Sequence, residues 1–190
     1  MARHAFYTTF EISQICGVNP TTVQNWVKGK KLPAFQTPGG HRRVRREDLI
    51  SFLKEFGMPI PAELSKNPPY VMIVDDEVDI LDMLEALMMA GEEDVRVSKA
   101  QNGVDALVMI GETKPDLLIL DIMIPGINGF DVCRKLKANA GTKNIKIIAI
   151  SGDHDPAVKE RVLGAGADRF FTKPLDVVTF REQCFSLLQS

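Results

Sequence analysis

Short apolar runs alternate with amphipathic stretches along the last two thirds of the chain. The runs at 70–74, 117–120 and 145–150 are continuous and rich in Val, Ile and Leu, which is typical of strands buried on both faces. Between the runs, apolar residues recur at helical spacing. The pattern predicts strands at 70–74, 95–98, 117–120, 145–150 and 167–171, and helices at 78–90, 104–110, 129–137, 156–163 and 177–188.

Strict alternation of strand and helix predicts a parallel sheet with helices on both faces, an α/β architecture. The first sixty residues have a different pattern. Thr8 or Thr9 is positioned to cap a helix that ends near Gly17, and Asn19-Pro20 predicts the start of a second helix at 20–28. A hairpin at 35–44 around Pro38-Gly39-Gly40 and a helix at 47–56 follow.

The stretch at 57–69 separates these two regions. It holds four prolines and a glycine, which disfavour both helix and central strand. We therefore expect an extended, semi-stiff linker. The predicted organisation is a domain at 1–58, a linker at 59–69 and a second domain at 70–190.

Charge divides the chain in the same way. Residues 1–66 hold ten basic and five acidic residues, a net charge of +5, which leaves −7 on the remainder of a chain whose net charge is −2. A basic region joined to an acidic one suggests two domains with different partners, the basic one being a candidate for a polyanion.

Composition narrows the class of protein further. Hydrophobic residues make up 45% and charged residues 25%, which is ordinary for a globular protein. No apolar run is long enough for a membrane span, and the N-terminus lacks the apolar stretch of a signal peptide. We expect a cytoplasmic protein without a membrane partner. Its three dispersed cysteines should be reduced packing residues, namely Cys16, Cys133 and Cys184.

Polar residues follow four of the predicted strands in the second region. Asp75 and Asp76 follow the first strand, Asp121 the third, Ser151 the fourth and Lys173 the fifth. The carboxyl ends of parallel strands meet at one sheet edge, so these groups should share a cleft. Adjacent carboxylates are costly without compensation, and Mg²⁺ is the natural cofactor for such a set.

These motifs resemble the bacterial response-regulator receiver domain over residues 70–189. The matching segments are Val74-Asp75-Asp76, the run from Asp121 to Gly129, Ile150-Ser151-Gly152 and Lys173-Pro174. The resemblance implies a flavodoxin-like (βα)5 fold with strand order 2-1-3-4-5.

The resemblance also implies a role for each group in the cleft. Asp121 would accept phosphate from a sensor histidine kinase. Asp75, Asp76, Asp121 and the backbone carbonyl of Met123 would hold Mg²⁺. Ser151 and Lys173 would contact the phosphoryl group, the Lys173–Pro174 bond would be cis, and Ser151 and Phe170 would act as the switch residues. The face at roughly 156–188 would then pair two chains as a homodimer.

The first region, at 6–58, resembles the MerR-like and excisionase-like winged helix-turn-helix. The motif is carried by Ile15-Cys16-Gly17-Val18, the run from Thr21 to Trp26, and the run from Thr37 to Arg43. It implies binding of double-stranded DNA by a recognition helix and a basic wing. The expected DNA-contacting residues are Thr21, Thr22, Gln24, Asn25, Lys28, His41, Arg42, Arg43 and Arg45, whereas Trp26 should belong to the core.

The leading hypothesis is a DNA-binding response regulator of a two-component system, a regulator of transcription rather than an enzyme. Two alternatives stay open on the same residues: an architectural DNA protein controlled by phosphorylation, and a protein-binding adaptor that does not bind DNA. A third, a Mg²⁺-dependent phosphohydrolase, requires Asp-x-Asp after the first strand. Glu77 stands where the second aspartate of that motif would be.

Overall fold

A computed structural model describes residues 5–65, 67–91, 93–126 and 128–189. Lys66 of the expected linker and Ile127 of the loop after Asp121 lie outside the described residues. Contacts divide the chain into two units, one comprising Met1–Pro68 with Gly91–Asp94 and the other Pro69–Ala90 with Val95–Ser190.

The first unit is mainly helical with a small antiparallel sheet. The sheet order is β1-β3-β2, with Phe35 of β2 opposite Arg43 of β3. The predicted hairpin is therefore present, and β1 is an element that the pattern did not predict. A two-residue strand carries no readable alternation. The elements are β1 Phe6–Tyr7, α1 Thr9–Cys16, α2 Pro20–Lys28, β2 Phe35–Gln36, β3 Arg42–Arg45, α3 Arg46–Glu55 and α4 Ala62–Ser65.

The helix ends of this unit follow from local chemistry. Thr8 Oγ1 accepts from the Glu11 amide at 3.1 Å, and Glu11 Oε2 accepts from the Thr8 amide at 2.7 Å. This capping box satisfies two backbone donors at the start of α1. Gly17 ends α1 with φ 63°, and Asn19 Oδ1 accepts from the Thr21 amide at 3.1 Å to begin α2.

The segment expected to be an extended linker packs instead on the first unit. Residues 62–65 form the short helix α4, and Leu64 is fully buried in the same core as Trp26 and Phe52. The Arg46 guanidinium donates to the Leu64 carbonyl at 2.7 Å. The expectation was wrong because Pro61 precedes the turn, where a missing amide donor costs nothing.

The second unit is the predicted α/β domain. Its five strands form one parallel sheet in the order β5-β4-β6-β7-β8, which is 2-1-3-4-5 when the strands of this sheet alone are numbered. The elements are β4 Tyr70–Val74, α5 Val78–Met89, β5 Arg96–Ala100, α6 Gly103–Glu112, β6 Leu117–Asp121, α7 Gly129–Ala138, β7 Lys146–Ser151, α8 Pro156–Gly164, β8 Arg169–Thr172 and α9 Val177–Leu188.

Two apolar cores cover the two faces of this sheet. Alternate β4 residues divide between them, with Val71 and Ile73 facing α5 and α9 while Met72 and Val74 face α6, α7 and α8. Cys133 and Cys184 are buried, one in each core, and burial raises their thiol pKa to about 11 and about 12. In the described part of the chain, no helix is both long and apolar enough to cross a membrane.

The loop after β6 passes very close to α7. A Cβ on Gly129 would lie 2.5 Å from Ile122 Cα, which is backbone and has little room to move. Glycine at the first position of α7 therefore lets that helix approach the end of β6, where Asp121 lies.

Replacing Gly129 by alanine should destabilise the second unit by about 2 kcal/mol, because the new methyl group overlaps the Ile122 backbone. Gly111→Ala in α6 is the matched control, since its Cβ would meet nothing within 4 Å. That variant should gain about 0.5 kcal/mol from reduced backbone entropy. Urea unfolding of the two variants measures both, and equal stabilities would contradict the close approach.

Candidate functional site

Three carboxylates meet at the carboxyl-terminal edge of the parallel sheet. Asp75 and Asp76 follow β4 directly, and Asp121 is the last residue of β6. In the ladder, Val74 pairs with Leu120, so the two strands end at the same level. One carboxylate oxygen from each of the three residues lies within 4.8 Å of the others. Asp75 and Asp121 are buried, and Asp76 is exposed.

The Lys173 ammonium reaches into this cluster from beyond β8. Its Nζ lies 2.7 Å from Asp121 Oδ2 and 2.8 Å from Asp75 Oδ2. It also lies 3.1 Å from Glu77 Oε1. The side chain of Lys173 is 16% exposed, so these ion pairs are partly shielded from water. One cation thus compensates several acids that would otherwise repel one another.

The titration behaviour of the pocket follows from this arrangement. Burial raises the pKa of Asp75, and the nearby Lys173 ammonium opposes that rise without cancelling it. Burial alone would lower the pKa of Lys173, but its contacts with the carboxylates of Asp121, Asp75 and Glu77 outweigh burial and raise the pKa above its usual range. Lys173 therefore stays charged at neutral pH.

The donor set fits a hard divalent cation. Asp75 Oδ2 is buried and, although Lys173 Nζ lies close, the contact lacks hydrogen-bond geometry. A buried carboxylate oxygen without a hydrogen bond is costly unless a charge compensates it. With carboxylates from Asp76 and Asp121 beside it, the cluster offers the oxygen ligands that Mg²⁺ prefers.

The remaining predicted pocket residues lie at the same sheet edge. Ser151 is fully buried at the end of β7, and its Oγ accepts from the Asp153 amide at 3.0 Å. The Met123 amide donates to Asp121 Oδ1 at 2.7 Å, which fixes the following loop beside that carboxylate. Phe170 is half-buried on β8 opposite Ala149 and packs against the core that faces α6, α7 and α8.

Two further features of this edge relate to the predictions. The Lys173–Pro174 peptide bond is cis, as the resemblance implied. The contact of Glu77 with Lys173 was not predicted, because the sequence indicates only that Glu77 stands where a hydrolase motif requires aspartate. Its place directly after Asp75 and Asp76 was the available signal.

In the first unit, helix α2 presents a polar face to solvent. Val23 is fully buried, and Trp26 and Val27 pack against the core as expected. The Thr21 hydroxyl donates to Asn19 Oδ1 at 2.8 Å, so it also supports the start of the helix. Of the five α2 residues expected to contact DNA, Thr22 is half-buried and the exposed ones are Thr21, Gln24, Asn25 and Lys28.

The hairpin of β2 and β3 carries a basic edge. The Gly40 amide donates to the Thr37 carbonyl at 2.8 Å, and Gly40 has φ 82°, which glycine adopts without strain. This tight turn leads into β3, on which Arg43 is half-buried and Val44 is fully buried. Of the hairpin residues expected to contact DNA, His41, Arg42 and Arg45 are exposed.

Two family models match the chain. One, described as a response regulator receiver domain, matches residues 71–184. The other, described as a helix-turn-helix domain, matches residues 6–56. The first match covers more than half of the chain, and the two matches correspond to the two units described above.

Curated relatives align with the α/β unit. The response regulator PleD of Caulobacter vibrioides is 39% identical over 108 residues, which are 57% of this chain and 23% of PleD. The DNA-binding response regulator MtrA of Mycobacterium tuberculosis is 35% identical over 104 residues, which are 55% of this chain and 43% of MtrA. The chain thus spans less than half the length of these curated relatives.

Solved structures match the same unit. The signal receiver domain of a DNA-binding response regulator (merR) from Colwellia psychrerythraea has a TM-score of 0.60 and 27% identity, covering 64% of this chain and 99% of that one. The receiver domain of a signal transduction histidine kinase from Syntrophus aciditrophicus has a TM-score of 0.59 and 29% identity, covering 64% and 90%.

Replacing Lys173 by methionine should destabilise the protein by about 2 kcal/mol at neutral pH, because Asp75 and Asp121 lose their shared cation. The loss is smaller than for a fully enclosed pair because the pocket opens to solvent. It should shrink on acidification, since protonated carboxyls no longer repel. The raised pKa of Asp75 places that recovery at a higher pH than for an ordinary aspartate.

Lys99→Met provides the control for this measurement. Lys99 also bridges two carboxylates, Asp82 at 2.7 Å and Glu85 at 2.5 Å, but on the surface. Denaturant unfolding at neutral and acidic pH should find only a small change for that variant. Equal losses in both variants would contradict a special role for the Lys173 ammonium.

Proposed function

The chain belongs to the response regulator receiver family, and we propose that it is a DNA-binding response regulator that a sensor histidine kinase phosphorylates on Asp121. The observation that carries the proposal is the position of the Asp121 carboxylate. It lies at the end of β6 with Lys173 Nζ at 2.7 Å and the oxygens of Asp75 and Asp76 within 4.8 Å.

Phosphoryl transfer requires Asp121 to act as the nucleophile. A carboxylate oxygen of Asp121 forms a bond to the phosphorus of a phosphohistidine as the P–N bond breaks, and the electron pair leaves with the imidazole. Hydrogen bonds from the Met123 amide and the Lys173 ammonium hold the carboxylate in place. Lys173 and the Ser151 hydroxyl then face the negative charge on the phosphoryl oxygens.

The proposed cofactor is Mg²⁺. Asp75, Asp76 and Asp121, with the Met123 carbonyl, would hold it, and when bound it supplies positive charge to the phosphoryl oxygens. Asp75 Oδ2, which is buried and accepts no hydrogen bond, supports this assignment because a bound cation would compensate its charge.

The first unit supplies the proposed DNA contacts. Gln24 and Asn25 offer amide groups that can form paired hydrogen bonds with base edges in the major groove. Arg42 and Arg45 are exposed on the hairpin, where guanidinium groups can neutralise phosphates. We propose that the protein binds DNA in the cytoplasm of a bacterial cell and thereby controls transcription.

Phosphorylation is proposed to act on DNA binding through assembly. A single nine-residue recognition helix makes few base contacts, so two copies on adjacent sites would bind far more tightly. The face of α8, β8 and α9 carries Phe170 and the exposed apolar residues Leu163, Val177 and Val178. Pairing of two chains on this face stays a prediction.

Incubation of the full chain with acetyl phosphate and Mg²⁺ should add one phosphoryl group, and Asp121→Asn should abolish the addition, because the amide is a far weaker nucleophile. Asp131→Asn is the matched control, since the side chain of Asp131 on α7 is 49% exposed and pairs with Arg134 at 3.1 Å. Intact-mass spectrometry measures the product. Equal modification of the Asp121 variant and the wild type would refute the assignment.

Arg42→Ala should weaken binding to every duplex and reduce the slope of log affinity against log salt by about 1, because one phosphate contact is lost.

Gln24→Ala should instead change the preference among DNA sequences, by about 1–3 kcal/mol if a paired base contact is lost. Lys143→Ala, an exposed lysine of the second unit, should leave the slope unchanged. Fluorescence anisotropy at several salt concentrations measures all three. Wild-type protein without salt-dependent DNA affinity would favour the adaptor hypothesis.

A further inference from the structure

The Lys173 ammonium donates hydrogen bonds to Asp121 and Glu77 in the resting pocket and forms an ion pair with Asp75. An ammonium carries three N–H groups, and three carboxylates surround it. Asp121 and Asp75 lie at 2.7 and 2.8 Å, and Glu77 lies at 3.1 Å. A phosphoryl oxygen on Asp121 would therefore compete with these carboxylates for the ammonium.

Glu77 is the carboxylate whose release costs least. The side chains of Asp75 and Asp121 are 0% and 7% exposed, so releasing either would leave a charge poorly compensated inside the pocket. The Glu77 side chain is 63% exposed and makes the longest of the three contacts. Its carboxylate returns to water when it is released.

The contact between Glu77 and Lys173 is not a helix-capping interaction. Glu77 is the N-cap residue of α5, but its side chain makes no capping hydrogen bond. It reaches instead across the pocket to Lys173, 96 positions away in sequence. Its own amide donates to Asp75 Oδ1 at 3.0 Å, which fixes where the side chain begins.

On the premise that Asp121 is the phosphoacceptor, we propose that Glu77 is a positioning residue for Lys173. Its carboxylate accepts one N–H of the ammonium in the resting pocket, and the incoming phosphoryl group displaces it. Glu77 thereby lowers the resting rate of phosphorylation, both by competing for Lys173 and by placing a negative charge at the pocket mouth. No bond to Glu77 forms or breaks in this step.

The test compares full-length wild type with Glu77→Gln, which keeps the size of the side chain and removes its charge. With Mg²⁺, the variant should be phosphorylated by acetyl phosphate about 2- to 5-fold faster, the range expected for loss of one exposed ion pair. It should also bind beryllofluoride more tightly by a similar factor. Both gains should shrink as salt is raised, because screening weakens the contact that was removed.

Two further variants make the result specific. Asp79→Asn removes one charge from the first turn of the same helix and should behave like the wild type. Glu77→Asp keeps the charge but shortens the side chain by one methylene, and it should still give a gain, though a smaller one. A Glu77→Gln rate equal to that of the wild type, or a salt-independent gain, overturns the proposal. Failure of the wild type itself to be phosphorylated counts against the proposed function instead.

Discussion

One ammonium group holds together the acidic edge of the parallel sheet. Lys173 Nζ contacts Asp75, Asp121 and Glu77, and Asp75 is completely buried. Without a cation at this point, the carboxylates that follow β4 and β6 would repel one another in a partly dehydrated site. The same repulsion would favour binding of Mg²⁺, which together with Lys173 would offset the negative charge of a phosphoryl group in the proposed reaction.

The backbone creates this concentration of charge through the sheet. Parallel pairing of β4 with β6, and of β6 with β7, brings the strand ends to one edge, so residues distant in sequence become neighbours. Gly129 then allows α7 to approach the end of β6. A Cβ at this position would lie only 2.5 Å from Ile122 Cα. This close approach lies immediately after Asp121.

The sequence predicts where the strands end, but it does not predict which groups the long side chains contact. The sequence predicts that Asp75, Asp121, Ser151 and Lys173 lie together, because each stands at or just beyond the end of a predicted strand and parallel strands end at one sheet edge. The contact of Glu77 depends on the rotamer of a long side chain, which no periodicity encodes. The packing of Leu64 was missed for a related reason, since one buried residue among prolines leaves no repeating pattern. Arg42 and Arg46 show the same limit. Both are arginines of one basic run, yet Arg42 is exposed whereas Arg46 donates a hydrogen bond to the Leu64 carbonyl, and the sequence does not distinguish the two.

The resting arrangement bears on how a signal at Asp121 could reach DNA. Adding one phosphoryl group changes the net charge of a chain with 23 basic and 25 acidic residues only slightly. Long-range repulsion of DNA therefore has a weak effect on DNA binding once salt screens it.

A change in side-chain packing would have a stronger effect. Ser151 and Phe170 lie on neighbouring strands, the first fully buried beside the acidic edge and the second half-buried against the sheet core. A shift of Ser151 toward a phosphoryl group would open space at that edge, and further burial of the Phe170 ring would fill it and reshape the face of α8, β8 and α9. Because a second bound copy raises affinity through effective concentration alone, a small change in that face would be sufficient for the control of DNA binding proposed above.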